Sequence, residues 1–249
     1  MSNLLKPLKE GYQLDVNSAI FKAWYRFKEN FFLYVLVGVL FFIVNFLISQ
    51  LPYMSFLGNF ISVILFSGFY IYSKNKDHGR QQNLDFFQGY LNIAGLVLYQ
   101  MVLMILVVPL LMISMSSIIP IESFFDLLIG QVDLVSFSEQ INGELENVGT
   151  NIILGILMVI GLAVYLSISF VFATPLIVLG KLNFWTAMEL SRKTVGKQFF
   201  IFLFFWIAFL MFFGLASVFT IGIAYFFINP FMYLIIYEMY KQVFESNEL

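Results

Sequence analysis

The sequence predicts an all-α fold, a polytopic transmembrane helical bundle of about six spans, on three observations. Of 249 residues, 61% are hydrophobic and only 11% are charged, where a soluble domain carries about 25% charged residues. The apolar residues gather into charge-free runs of about 20, the length a helix needs to cross about 30 Å of hydrocarbon. Every Lys and Arg falls outside those runs, on alternate connections. A soluble globule could not hide so much apolar surface, and a disordered chain needs low hydrophobicity with high net charge. Both classes are excluded.

Residues 1–30 form a polar segment of mixed charge and do not read as a cleavable leader. Within it Ile20, Phe21, Trp24 and Phe27 recur at helical spacing, with Lys22, Arg26 and Lys28 between them. A basic, aromatic, amphipathic helix is expected to lie in the membrane interface. The transmembrane domain then runs over 31–240. Its first span is Phe31–Leu51, broken at Pro52, Tyr53 and Met54, and its second is Phe56–Tyr72. The stretch Leu84–Tyr90 leads into a third, Leu91–Ile119, which contains Pro109. An acidic outer loop, 120–150, precedes a fourth span, Asn151–Leu179, with Pro175 near its end. A second basic amphipathic lead-in, Asn183–Phe200, enters the fifth span, Phe199–Phe219. Thr220 and Gly222 mark a tight turn into the sixth, Ile221–Tyr240, and 241–249 is a tail. Short outer connections pair these as three hairpins, each with an amphipathic interfacial lead-in helix.

Charge sets the orientation. Five of the thirteen Lys and Arg precede span one, three lie between spans two and three, four between spans four and five, and one follows span six. Six crossings put all of them on one side. The opposite side carries instead Glu122, Asp126, Asp133, Glu139, Glu144 and Glu146. Positive-inside bias therefore places both termini in the cytoplasm, across a bacterial inner membrane. Trp24, Arg26, Lys28, Trp185, Arg192, Lys193 and Lys197 are the expected interfacial anchors.

The chemistry-bearing residue types are scarce. With no cysteine and a single histidine, His78, there is no set for thiolate or imidazole metal ligation, and no cofactor is expected. No Gly-x-Ser-x-Gly elbow, phosphate loop or HExxH is present. A net charge of −2 gives no bias toward nucleic acid. The span interiors hold no ionisable group, with Glu238 expected to be solvated at the cytoplasmic end of span six. Polar residues within spans, Asn45, Asn59 and Asn229 among them, are read as interhelical hydrogen-bonding positions. Thr174-Pro175 and Asn229-Pro230 are read as helix breaks, packed kinks in one reading and linings of a transport path in the other.

The segments Thr174–Val178, Ala187–Phe200 and Asn229–Tyr240, with Phe21–Phe32, resemble a broad group of six-span bacterial membrane proteins. That group includes the membrane domain joined to some glycerophosphodiester phosphodiesterases. The resemblance implies a helical bundle in the cytoplasmic membrane and no catalytic residues, and no phosphodiesterase activity is expected. The expected function is a non-enzymatic accessory or structural subunit of a membrane-protein complex or assembly, in contact with lipids and other integral membrane proteins. The alternative is a lipid or amphiphile transporter of scramblase type.

Overall fold

The computed structural model describes residues 3–50, 57–115 and 150–245, and every regular element among them is helical. In chain order these are α1 (Lys6–Glu10), α2 (Val16–Glu29), α3 (Phe31–Ser49), α4 (Leu57–Asp77), a 3-10 helix (Asn83–Asn92), α5 (Ile93–Met115), α6 (Thr150–Ser169), α7 (Ala173–Val178), α8 (Phe184–Lys197), α9 (Phe199–Phe219) and α10 (Tyr225–Phe244). The turn at Pro52–Met54, most of the acidic loop 120–150 and the last four residues of the tail, 246–249, lie outside the described residues. Among the described residues, four helical stretches are long and apolar enough to cross a membrane: Phe31–Ile48, Asn83–Val107, Leu157–Val178 and Phe199–Phe219.

The chain divides into two compact units, Met1–Gln100 with Ile168–Leu249, and Met101–Ser167. The second consists, among described residues, of the later part of α5, which keeps Pro109 inside the helix, and most of α6. The first holds everything that follows.

Its centre is a three-helix packing. Contacts between α3 and α4 run in opposite directions, Tyr34 on Tyr72, Phe41 on Phe66 and Asn45 on Ser62, so the two are antiparallel. Contacts between α4 and α10 advance together, from Phe66 on Tyr233 to Asp77 on Lys241, so those two are parallel. Aromatic rings fill the space between. Tyr34, Phe69 and Phe86 are fully buried in mutual contact, and Phe66 stacks on Tyr233 at 4.9 Å.

Several elements depart from the sequence reading. Helix α4 runs five residues past its apolar stretch, because Lys74 and Lys76 suit the negative end of the helix dipole and Asp77 finds cationic partners. The lead-in at Leu84–Tyr90 is a 3-10 helix folded onto α4. Gly68 and Gly89 permit this approach: a Cβ on Gly68 would overlap the Phe86 carbonyl, and one on Gly89 the Ile64 carbonyl. Asp85, 2% exposed, fastens the segment by accepting hydrogen bonds from Gln82 N, Asn75 Nδ2 and Gln88 Nε2.

Span four is interrupted at Phe170–Phe172, between α6 and α7. Pro175 removes the donor that would have served Val171 O, and the buried Ser191 hydroxyl ties together the backbone on either side of that residue. It accepts from Phe172 N at 3.1 Å and donates to Ser169 O at 2.8 Å. In α10, Pro230 frees the carbonyl of Phe226, and Gly38 packs there: a Cβ at that glycine would lie 2.9 Å from Pro230 Cγ and 3.3 Å from Phe226 O. The turn into α10 forms at Thr220 and Gly222 as predicted. Gly222 takes φ +83°, and Thr220 Oγ1 donates to Ala216 O and accepts from Ala224 N. The helix itself starts at Tyr225 and extends to Phe244.

Replacing Gly68 by alanine forces α4 and the 3-10 segment apart and is expected to cost at least about 2 kcal/mol, in the range of overpacked cores. Gly214→Ala in α9, where a Cβ meets nothing within 4 Å, should be neutral or stabilising by up to about 1 kcal/mol. Thermal unfolding midpoints of the two variants in the same detergent check the contrast.

Candidate functional site

The ends of α2, α4 and α10 meet in a layer of charge. Asp15 caps α2 by accepting from Ser18 N at 2.9 Å, and the helix then buries Ala19, Ala23 and Phe27 against α10. Small residues at four-residue spacing allow the close approach, and they turn Arg26 inward. Its side chain is 12% exposed and that of Glu238 only 4%. Arg26 Nε and Nη2 both donate to Glu238 Oε1, at 3.0 and 2.8 Å. Nη2 also donates to Asp77 Oδ1 at 2.6 Å, and Nη1 to Ser73 O at 3.3 Å. Asp77 Oδ2 accepts in turn from Tyr237 Oη at 2.8 Å and Lys241 Nζ at 2.7 Å. Lys76 pairs with Glu29, and Lys74 with Glu245 at 3.1 Å.

Burial works against the charge on Arg26, but Glu238 and Asp77 outweigh it and raise the guanidinium above its ordinary value. Partial burial likewise favours the neutral form of Asp77, yet hydrogen bonds from Lys241 and Arg26 prevail and hold its carboxyl below the usual carboxylate range. The network borders a cavity of about 800 Å³ lined by Lys22, Arg26, Lys76 and Lys241, by Glu29, Asp77, Glu238 and Glu245, and by Phe21, Tyr25, His78 and Gln242. Among the described residues no group of three or more His, Cys, Asp or Glu could hold a metal ion.

The expected positions are distributed as follows. Arg26 lies within the charged network. Glu238, expected to be solvated, is instead buried, because Arg26 from the far end of the chain supplies its counter-charge. Trp24 is 44% exposed with Lys28 Nζ 5.0 Å from its ring centre, and Trp185 is 62% exposed. Arg192 and Lys193 are exposed on α8, where Lys193 pairs with Glu189 at 2.7 Å. Lys197 Nζ caps α1 by donating to Pro7 O and Leu8 O. Thr174 and Asn229 are half-buried, and Pro175 and Pro230 buried. Asn45 bonds Ser62 at 2.7 Å, whereas Asn59 is exposed in the first turn of α4.

Sequence reasoning missed Asp77, Tyr237, Ser191 and Asp85. The available signal was the odd acid in each basic segment: Asp77 among Lys74, Lys76 and Arg80, and Glu238 just before Lys241. No protein-family model, no curated protein and no solved structure matches this chain.

Removing one member of a buried pair strands the other, so Arg26→Ala or Glu238→Ala is expected to cost about 3–5 kcal/mol, whereas Arg26→Met combined with Glu238→Leu should recover much of that loss. Denaturation midpoints of the three proteins decide it. The sign for Asp77 follows from its lowered native value. Its stabilisation is complete above the unfolded carboxylate value of about 3.9 and drains as pH falls through the native one. Asp77→Asn should therefore be less stable at neutral pH and show a shallower loss of unfolding midpoint on acidification.

Proposed function

We propose that this chain is a six-span protein of the bacterial inner membrane, with both termini cytoplasmic, that serves as a non-catalytic accessory or structural subunit of a membrane-protein complex or assembly. Six crossings are supported by α4 and α10, which carry their charges only near their C-terminal ends. At a rise of about 1.5 Å per residue, each is about 30 Å long. Their parallel course beside an antiparallel α3 suits an even number of crossings.

The observation that carries the subunit reading is α9. Only Phe202 and Phe205 of its 21 residues are buried, both within its first two turns. Phe204, Phe212 and Phe219 are 67%, 68% and 83% exposed, and no charge interrupts the helix. Such a face suits helix-on-helix contact with another integral membrane protein. A transport path would draw on open backbone at Pro175 and Pro230. Ser191 engages the backbone on either side of Val171 and Gly38 packs closely on Pro230, which favours the subunit reading.

Native mass spectrometry of protein released gently from its own membrane is the test. The expected result is a second protein in fixed ratio, whose recovery falls when Phe204 and Phe212 are both changed to alanine while the unfolding midpoint holds. A solitary chain, or lipid-sized additions alone in every mild extraction, overturns it.

A further inference from the structure

The cavity between α2, α4 and α10 has features that the subunit reading does not use. Its four basic and four acidic lining side chains balance. A ligand of either net charge would leave an unmatched charge beside the buried network, whereas a zwitterion preserves neutrality. Two groups are open to receive one. Lys22, exposed on α2, makes no ion pair among the described residues. Glu238 accepts both Arg26 bonds through Oε1, and no described donor bonds its Oε2.

His78 adds a second acceptor. Its Nδ1 lies 2.8 Å from Lys74 O, which can only accept, so Nδ1 carries the proton and Nε2 of the neutral ring is left as an acceptor. Two acceptors suit an ammonium with N–H donors rather than a quaternary one. Phe21 and Tyr25, 73% and 69% exposed, stand on the cavity wall. Their rings suit the glycerol and upper acyl region of a lipid whose head lies within.

We propose that this cavity binds the phosphoethanolamine head of a membrane phospholipid, with Lys22 on the phosphate and Glu238 Oε2 and His78 Nε2 receiving the ammonium. The site holds a lipid and need not move it, and it stands whether or not a protein partner covers α9.

The full chain, purified in detergent and incubated with micelles containing equimolar phosphatidylethanolamine, phosphatidylcholine and phosphatidylglycerol, is examined by native mass spectrometry for retained lipid. Phosphatidylethanolamine should be retained about tenfold over the other two, and Lys22→Glu or Tyr25→Ala should each reduce that retention several-fold at an unchanged unfolding midpoint. Equal retention of the three lipids, or retention indifferent to both substitutions, overturns the assignment. Soluble glycerophosphoethanolamine, the same zwitterionic phosphodiester without acyl chains, distinguishes the sources. Weak competition at large excess supports the lipid, and binding as tight as the lipid's overturns the membrane as the source.

Discussion

Arg26 is the side chain on which the charged end of the molecule depends. Taking a guanidinium out of water costs several kcal/mol unless the fold returns its hydrogen bonds and a counter-charge. Here two carboxylates and a backbone carbonyl do so, from two other helices: Glu238 in α10, and Asp77 at the end of α4 with Ser73 one turn earlier. The demand is mutual. Glu238 without Arg26 would be an anion with its side chain 96% buried and no counter-ion on that oxygen. The position of α2 therefore follows from charge as well as from apolar area, and three helix ends separated by up to 212 residues in sequence are held at one level.

Away from that end the constraint changes character. Between apolar helices in lipid, apolar burial supplies little driving force, since the lipid is as apolar as the partner helix. Shape has to choose the neighbours. Gly38 against Pro230 and Gly68 against Phe86 are places where backbone itself is the contact surface, and large rings fill the space the close approaches leave. The proline sites belong to the same logic. Each freed or unpaired backbone group near Pro175 has to be met within the protein, and one serine on α8 serves two of them.

Four long apolar helical stretches were legible because the bilayer imposes a length that composition must obey. The inner face of α2 was not. Its large residues suggest a face through Ile20, Phe21, Trp24 and Phe27, but the buried stripe is Ala19, Ala23 and Phe27. Hydrophobicity favours the big side chain, whereas close helix packing selects the small one, so the two criteria point to different faces. The partners of Arg26 were hidden for another reason. A cation near a membrane boundary has the same local signature whether it meets a headgroup or a carboxylate, and the carboxylate is 212 positions away. Asp85 was lost inside an aromatic segment that looked interfacial.

Once Arg26 and the two alanines of α2 face inward, what remains outside is Phe21, Trp24 and Tyr25, with Lys22 and Lys28 among them. The helix thus carries a charge on its protein-facing side and aromatic rings on its outer side, the reverse of a soluble surface helix. That inversion is tolerable where the outer medium is itself layered, apolar at the ring and polar at the ammonium. Lys28 with its Nζ 5.0 Å from the centre of the Trp24 ring shows the two kinds of group already in contact. A helix built this way suits the boundary between hydrocarbon and headgroup, and the inward Arg26 prevents it from rolling to bury its rings.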